Sequence, residues 1–315
     1  MRSIDYIIIF LLFYTGTNII YTHSQSKTDF ISRSGYNDSV FTKNVKNYFQ
    51  DIRQGSVSNI NIYKFTGFSL FSIGAGVLLH NFQKHAWWSG EREKFHIEND
   101  WSYAMSMDKL GHVFIAGLIN RTMKDAYQWS GMNNTTASWV GTLISIGYMT
   151  DIEIEDGFAK EWGYSPGDEI ANITGDALSI AQDLWDPLKT VKLRWSYWPT
   201  HDPNHKGDFP DDYNGQTFWL SFSIHNYLSK KLQNIWPSYL DLAIGYGVKE
   251  YDNYGPNGRI QNLYLSLDYD IRKIIPGQSG FIKWFKELIW NFKFIPAPAL
   301  KYNMTQGKVD FVVHW

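Results

Sequence analysis

The spacing of apolar residues changes from a helical period to a strand period near residue 186, and this change constrains the fold most strongly. Before it, apolar residues recur at helical intervals, as Leu110, Val113 and Phe114 do, which places them on one side of a helix. After it, apolar and polar residues alternate, as they do from Val191 to Tyr197, which is typical of a strand. We therefore predict an α+β fold, with an N-terminal helical bundle and a C-terminal antiparallel β-sheet or partial β-barrel.

Three helices are predicted at residues 106–129, 137–149 and 165–185. The last begins with Ser165 as N-cap and Pro166 at its first position, and Pro187 stops it. An earlier apolar stretch, Thr66 to Phe82, has no acidic side chain, lysine or arginine. Its length fits either a membrane span at the lower limit or a helix buried in a protein core.

About six strands are expected in the C-terminal part. In the last one, Val309, Phe311, Val313 and Trp315 share one face, which is similar to the C-terminal strand of bacterial outer-membrane β-proteins. Apolar faces opposed by Ser, Gly and Asp fit a wall that turns its apolar side to lipid. The same alternation fits a sheet packed on the helices by one face.

Composition excludes several classes of function. The formal charge of −2 over 315 residues provides no basic field, so we expect no nucleic-acid partner. The absence of cysteine excludes disulfides, thiolate chemistry and a lipid carried on a processed cysteine. Fourteen tryptophans indicate large packing surfaces or a membrane interface.

The N-terminus has the pattern of an export signal. Arg2 precedes the apolar run Tyr6 to Tyr14, and Ser24 closes a candidate cleavage site. We predict a signal peptide at 1–24, a helical domain at 25–185 and a β-rich, membrane-associated region at 186–315. The expected location is the cell envelope, either periplasm or outer membrane, and the expected partner is the bacterial outer membrane or its lipids.

Ionisable residues interrupt the apolar pattern of the helical part. Burying such groups is costly unless they pair or serve a function, and residues three or four apart on a helix share a face. We therefore predict that they converge on one site. The candidate residues are Asp108, Lys109, His112, Glu153, Asp156, Asp168 and Asn172.

Two interpretations of this site remain open. In the chemical one, His112 is a general base or metal ligand, Asp108 orients it, Glu153 and Asp156 are acids or metal ligands, and Lys109 stabilises an anion. In the structural one, the residues form a satisfied network, Asp168 only completes the cap at Ser165, and the acidic residues end a solvated helix. No phosphate loop, nucleophile elbow or standard metal motif occurs, so no cofactor, metal or substrate is assigned.

Residues 85–180 resemble the YfiM-type predicted periplasmic lipoproteins and, more distantly, the VanZ-like membrane proteins. The resemblance lies in His96, Asn99-Asp100-Trp101, Asp108-Lys109-x-Gly111-His112, Glu153-x-x-Asp156-Gly157 and Ser165-x-x-Asp168-x-x-x-Asn172-x-x-Gly175. It implies a helical envelope protein in which these polar residues converge, and it supplies no reaction. The chain departs from the lipoprotein pattern because it lacks the cysteine that would carry the lipid.

Three functions follow as hypotheses. The first is a structural or binding component of the envelope without enzymatic activity. The second is an envelope hydrolase that acts on a lipid or cell-wall substrate through His112, Asp108, Asp156 and Asp168. The third is a module that binds a small ligand or lipid with its aromatic surface.

Overall fold

The computed structural model describes residues 43–47, 50, 60–200, 211–251, 258–277 and 280–314. The helices are α1 (Ile62–Ala86), α2 (Met107–Trp129), α3 (Asn134–Phe158), α4 (Pro166–Leu184), α5 (Lys230–Gln233), α6 (Ile271–Ile274) and α7 (Gly280–Trp290). The strands are β1 (Val191–Tyr197), β2 (Gln216–Phe222), β3 (Leu240–Lys249), β4 (Ile260–Tyr269), β5 (Ala297–Asn303) and β6 (Lys308–His314). The predicted α+β class is confirmed, with helices first and then an open six-stranded antiparallel sheet. The predicted signal peptide lies outside the described residues.

Helix α2 is the centre of the bundle and packs closely on α3 and α4. A Cβ atom at Gly175 would lie 2.2 Å from the carbonyl oxygen of Val113, so the backbones of α2 and α4 approach at a distance that only glycine allows. The buried amide of Asn120 donates hydrogen bonds to Thr142 on α3 and to Asp176 on α4. These contacts fix the three helices that carry the predicted site.

The start of α4 confirms the predicted cap. The Ser165 hydroxyl accepts a hydrogen bond of 3.1 Å from the backbone N–H of Asp168, which satisfies one of the free donors at the helix N-terminus. Pro166 is the first helical residue, where its missing N–H costs nothing.

Helix α1 lies on the outside of the bundle with its apolar side chains exposed. Phe71 and Leu78, for example, are 70% and 71% exposed. The interpretation of this segment as a buried core helix is therefore wrong. By length and composition α1 could cross a membrane. Its contacts with α2 include a 3.0 Å hydrogen bond between the hydroxyls of Ser69 and Tyr127.

Each strand of the sheet pairs with the next along the chain, in the order β1 to β6. The apolar face of β1 and β2 packs on the bundle, where Leu193 and Phe218 join Phe114 of α2 in one core cluster. Tyr246 and Val248 of β3 also contact this cluster, and away from it the same face is uncovered from β2 to β6. Five of its residues form one row of cross-strand neighbours and are 41–73% exposed: Leu220, Ile244, Leu265, Leu300 and Phe311.

The opposite face of the sheet is buried although it is polar. Arg194 of β1 forms an ion pair with Asp268 of β4, which requires the sheet to curl because two strands separate them. The hydroxyl of Thr217 lies 3.1 Å from the ring of His314 on β6. The sheet thus has a polar interior and, away from the helices, an apolar exterior, the reverse of a sheet in a water-soluble protein.

Candidate functional site

A strained turn places the first site residues. Ala104, Met105 and Ser106 have φ values of 44°, 55° and 66°, and each non-glycine residue in this left-handed region costs roughly 1–2 kcal/mol. The strain is held by two hydrogen bonds, from the Ser106 hydroxyl to the Trp101 carbonyl and from the Tyr246 hydroxyl of β3 to the Met105 carbonyl. Helix α2 begins immediately after the turn.

Lys109 is the centre of the ionic part of the site. Its ammonium lies 2.8 Å from Asp100, 2.9 Å from Asp108 and 2.8 Å from Asp168, and the side chain is almost wholly buried. Burial alone would lower the pKa of Lys109, but the three carboxylates outweigh this effect, so the pKa is raised. Lys109 neutralises carboxylates that burial would otherwise destabilise, and its own charge is fully engaged.

His112 lies one helical turn after Asp108 and contacts both partner helices. Its Nδ1 is 3.0 Å from the Asn172 side-chain oxygen on α4 and 3.6 Å from Oε1 of Glu153 on α3. Its Nε2 is 3.6 Å from Asp168 and 3.8 Å from Asp108. Burial lowers the pKa of the imidazole, but the carboxylates of Asp108, Asp168 and Glu153 outweigh it and raise the pKa overall.

Glu153 makes a contact that the sequence does not indicate. Its Oε2 accepts the backbone N–H of Ser165 at 3.2 Å. In a capping box Asp168 would occupy this place. Because Glu153 takes the N–H, the Asp168 carboxylate is available to Lys109, so the interpretation of Asp168 as a capping residue alone is wrong. Glu153 is only 1% exposed, so the interpretation of the acidic residues as a solvated helix end is wrong for Glu153.

Asp156 lies beside this network without an ion pair to it among the described residues. Its Oδ1 accepts a 2.5 Å hydrogen bond from the Trp88 indole. Burial is the main cause that raises its pKa to about 6, and the negative charge of Asp108 contributes. Asp156 therefore shares the electrostatic field of the site rather than its hydrogen bonds.

The carboxyl groups of the site differ in pKa. Burial raises the pKa of Glu153 to about 8, with further contributions from the charges of Asp168 and Asp156. Burial likewise raises the pKa of Asp168 to about 7. For Asp108 the cations His112 and Lys109 outweigh burial, so its pKa is lowered. Groups with pKa values on either side of neutral pH in one place are typical of functional sites.

The site forms part of the wall of a cavity of about 1360 Å³. Asp108, His112, Asp156 and Asp168 line it. Lys109, Glu153 and Asn172 are not among the lining residues and support those four from behind. Most of the remaining surface is apolar and comes from the helices, the sheet and the segment after α7: Leu79, Phe114, Ile115, Leu118, Ile119, Met149, Ile152, Trp195, Phe218 and Phe292. Charged side chains outside the predicted cluster also line the cavity: Glu98, Asp100, Lys160, Glu161, Asp211 and Arg259.

Besides Ser165, three residues that were not predicted as site residues contact the predicted ones. Asp100 binds Lys109 and accepts a 2.5 Å hydrogen bond from the Ser165 hydroxyl. It stands within the polar run that carries the family resemblance, so the sequence did contain a signal for it. Tyr213 donates a 2.8 Å hydrogen bond to Asp108. It lies 105 residues away in the β-rich part, where no sequence pattern connects it to the helices. No sequence pattern connects Trp88 to its partner Asp156 either.

Comparison with known proteins agrees with the predicted location. No match was found among curated proteins or solved structures. Residues 98–183 match the model of a family described as predicted periplasmic lipoprotein (DUF2279). All seven predicted site residues lie within the matched segment. The chain has no cysteine, so these 315 residues offer none for a thioether-linked lipid. The helical part that carries the polar cluster is therefore similar to predicted periplasmic lipoproteins, and the protein is an exported protein of the cell envelope.

Proposed function

We propose that this envelope protein binds an amphiphilic molecule in the cavity, with the polar group against Asp108, His112 and Asp168 and the apolar part along the remaining wall. The observation that carries the proposal is the position of the charged cluster on the wall of a large cavity whose surface is mostly apolar. Ligand sites are typically apolar clefts with a few polar groups that fix orientation. A wholly water-soluble metabolite would leave most of this wall without a partner.

The surface of the protein supports a lipid source for this amphiphile. Helix α1 has 25 residues and therefore a length of about 37 Å at 1.5 Å per residue, enough for a bilayer core of about 30 Å. Leu79 belongs both to the exposed surface of α1 and to the cavity wall. A lipid in the membrane around α1 would thus lie next to the cavity.

The exposed face of β3 to β6 supports a second contact with lipid. A row of apolar side chains outside and charged pairs inside is the arrangement of β-structure that faces a bilayer. We propose the bacterial outer membrane or its lipids as the partner of this face.

Lipid extraction and mass spectrometry test the binding proposal. Leu118→Trp adds bulk to the cavity wall and should reduce the lipid that copurifies with the protein at least several-fold. Ile154→Trp is the matched control, because Ile154 is exposed and lies outside the cavity wall. Equal amounts of lipid in wild type and both variants, with unchanged circular dichroism, would refute the proposal.

Vesicle flotation tests the membrane proposal. Phe311→Asp places a charge in the exposed apolar row and should reduce recovery with phospholipid vesicles. Lys308→Asp changes charge on the same strand outside that row and should have a smaller effect. Identical flotation of both variants and wild type would argue against the sheet as a lipid-facing surface.

A hydrolase is the second candidate, favoured by the protonation states around His112. Asp108, with its lowered pKa, is suited to orient the imidazole, and Asp168 or Glu153 holds a proton near neutral pH. Lys109 is less suited to stabilise an anion, since three carboxylates already engage it. Hydrolysis of envelope lipids or of a chromogenic ester by wild type, with at least a hundredfold loss in His112→Ala, would support this candidate. No turnover of such substrates by wild type would exclude them.

A further inference from the structure

Three side chains on the cavity wall have the geometry of metal ligands. Asp108, His112 and Asp168 each offer one ligand atom, and the three atoms lie within 4.8 Å of one another. The distances from His112 Nε2 are 3.6 Å to Asp168 and 3.8 Å to Asp108. Bonds of roughly 2.0–2.2 Å to a transition metal bring ligand atoms to about 3–4 Å of each other, so a small inward movement completes the triangle.

The imidazole is already oriented for this role. Its Nδ1 lies against the Asn172 side-chain oxygen at 3.0 Å, which leaves Nε2 toward the two carboxylates. A hydrogen bond at the other ring nitrogen is the usual way in which proteins orient a ligating histidine. Tyr213 similarly holds Asp108 by its 2.8 Å hydrogen bond.

A second observation favours a cation beside His112. Glu153 is 1% exposed, and its Oε1 has no hydrogen-bond donor among the described residues, although it lies 3.6 Å from His112. Around His112 and Lys109 the structure gathers four carboxyl groups within 4 Å: Asp100, Asp108, Glu153 and Asp168. His112 and Lys109 supply at most two positive charges, so the remaining carboxyl groups either hold protons or need a further cation, which a bound dication would supply.

We propose that Asp108, His112 and Asp168 bind a divalent transition metal ion such as Zn²⁺ or Mn²⁺ on the cavity wall. Two carboxylate oxygens and one imidazole nitrogen suit these ions better than Ca²⁺, which takes an all-oxygen shell. Three protein ligands leave coordination positions open, as in metal sites that act on a substrate. This inference rests on the proposed function, because an anionic head group of the amphiphile would bind the metal from the cavity.

Lys109 should lower the affinity of the site for the metal. Its ammonium lies 2.8 Å from the same Asp168 oxygen that faces His112. The metal and the ammonium would therefore share this carboxylate, and we expect weaker binding than at a site without a nearby cation.

Calorimetric titration of chelator-treated protein with ZnCl₂ or MnCl₂ tests the proposal. Wild type should bind one equivalent of at least one of the two ions, and His112→Ala and Asp168→Asn should each weaken that binding at least tenfold. His80→Ala is the matched control, because His80 also faces a carboxylate, Asp151 at 2.8 Å, but lies outside the cluster. It should bind like wild type.

Two parts of the experiment distinguish the loss of a metal ligand from the loss of the fold. Asp168→Asn keeps the size of the side chain, and Co²⁺ absorption spectra of wild type report coordination without any substitution. Absence of saturable binding of any of these ions to wild type, or equal affinity in all variants, would overturn the metal site. If wild type binds none of these ions but still copurifies with lipid, the metal inference falls and the proposed function stands. If wild type binds neither an ion nor lipid, both proposals fall.

Discussion

Substitution of Lys109 by methionine tests the electrostatic interpretation of the site most directly. Methionine retains much of the apolar volume but removes the charge that three carboxylates share at 2.8–2.9 Å. Removing one partner of a buried ion pair typically costs about 3–5 kcal/mol, because the remaining charge is left without compensation. For domains of this size, 1 kcal/mol corresponds to about 2–4 °C, so Tm should fall by roughly 6–20 °C.

The loss should depend on pH in a defined direction. Without Lys109 the carboxylates of Asp108 and Asp168 bind protons more readily in the folded state, so the difference from wild type should shrink as pH falls from 7.5 to 5. Asp168→Asn in the Lys109→Met background should recover part of the lost stability, since it removes one of the uncompensated charges.

Differential scanning fluorimetry in detergent at both pH values provides the measurement. Lys189→Met is the control, because Lys189 pairs with Asp186 on the exposed surface, where such a pair is worth about 1 kcal/mol or less. A Tm of Lys109→Met within 1 °C of wild type at pH 7.5 would refute the view that the ammonium compensates buried charge.

Three further predictions concern the same helices and use unfolding measured in chelator-containing buffer. Because the folded-state pKa of Glu153 is raised from 4.5 to about 8, its contribution to stability is lost as pH rises between these values. Glu153→Gln should therefore stabilise the protein at pH 7 by up to about 3 kcal/mol, and a Tm gain at pH 4 as large as at pH 7 would contradict this. Gly175→Ala should lower the free energy of unfolding by about 1–3 kcal/mol, because its methyl group would overlap the Val113 carbonyl. Gly147→Ala is the control and should be neutral or stabilising, because the space around Gly147 is open. Equal effects of the two substitutions would disprove the close approach of α2 and α4. Ser165→Ala should cost about 1–2 kcal/mol as a lost N-cap, and an unchanged Tm would show that another group satisfies the helix terminus.

Local signals in the sequence were sufficient for most secondary structure. The pair Ser165-Pro166 predicted the start of α4 at the residue where it occurs, because capping and the fixed φ of proline act within a few residues. The alternation from Val191 to Tyr197 predicted β1 with its observed bounds. Helix α3 was predicted too short: it continues to Phe158 because its acidic second half is stabilised by contacts with other helices, which periodicity does not reveal.

The sequence also predicted that the seven polar residues lie together, since separate burial of so many ionisable groups would cost too much. Six of the seven join one network of hydrogen bonds and close ion contacts, and Asp156 lies beside it on the same cavity wall. Tertiary structure alone decided the partners within the site. Tyr213 reaches Asp108 from the sheet, and Glu153 takes the N–H that local rules assign to Asp168.

Tertiary structure also decided what the apolar surfaces face. The alternation in β2 and β3 is the same whether a strand packs on helices or stands uncovered. Only the position of the bundle against one end of these strands buries Phe218 and leaves Ile244 exposed. The apolar composition of α1 likewise fits a core helix as well as an exposed one. Periodicity fixes which side chains share a face, because backbone geometry sets it residue by residue. What covers that face depends on contacts between segments far apart in the chain.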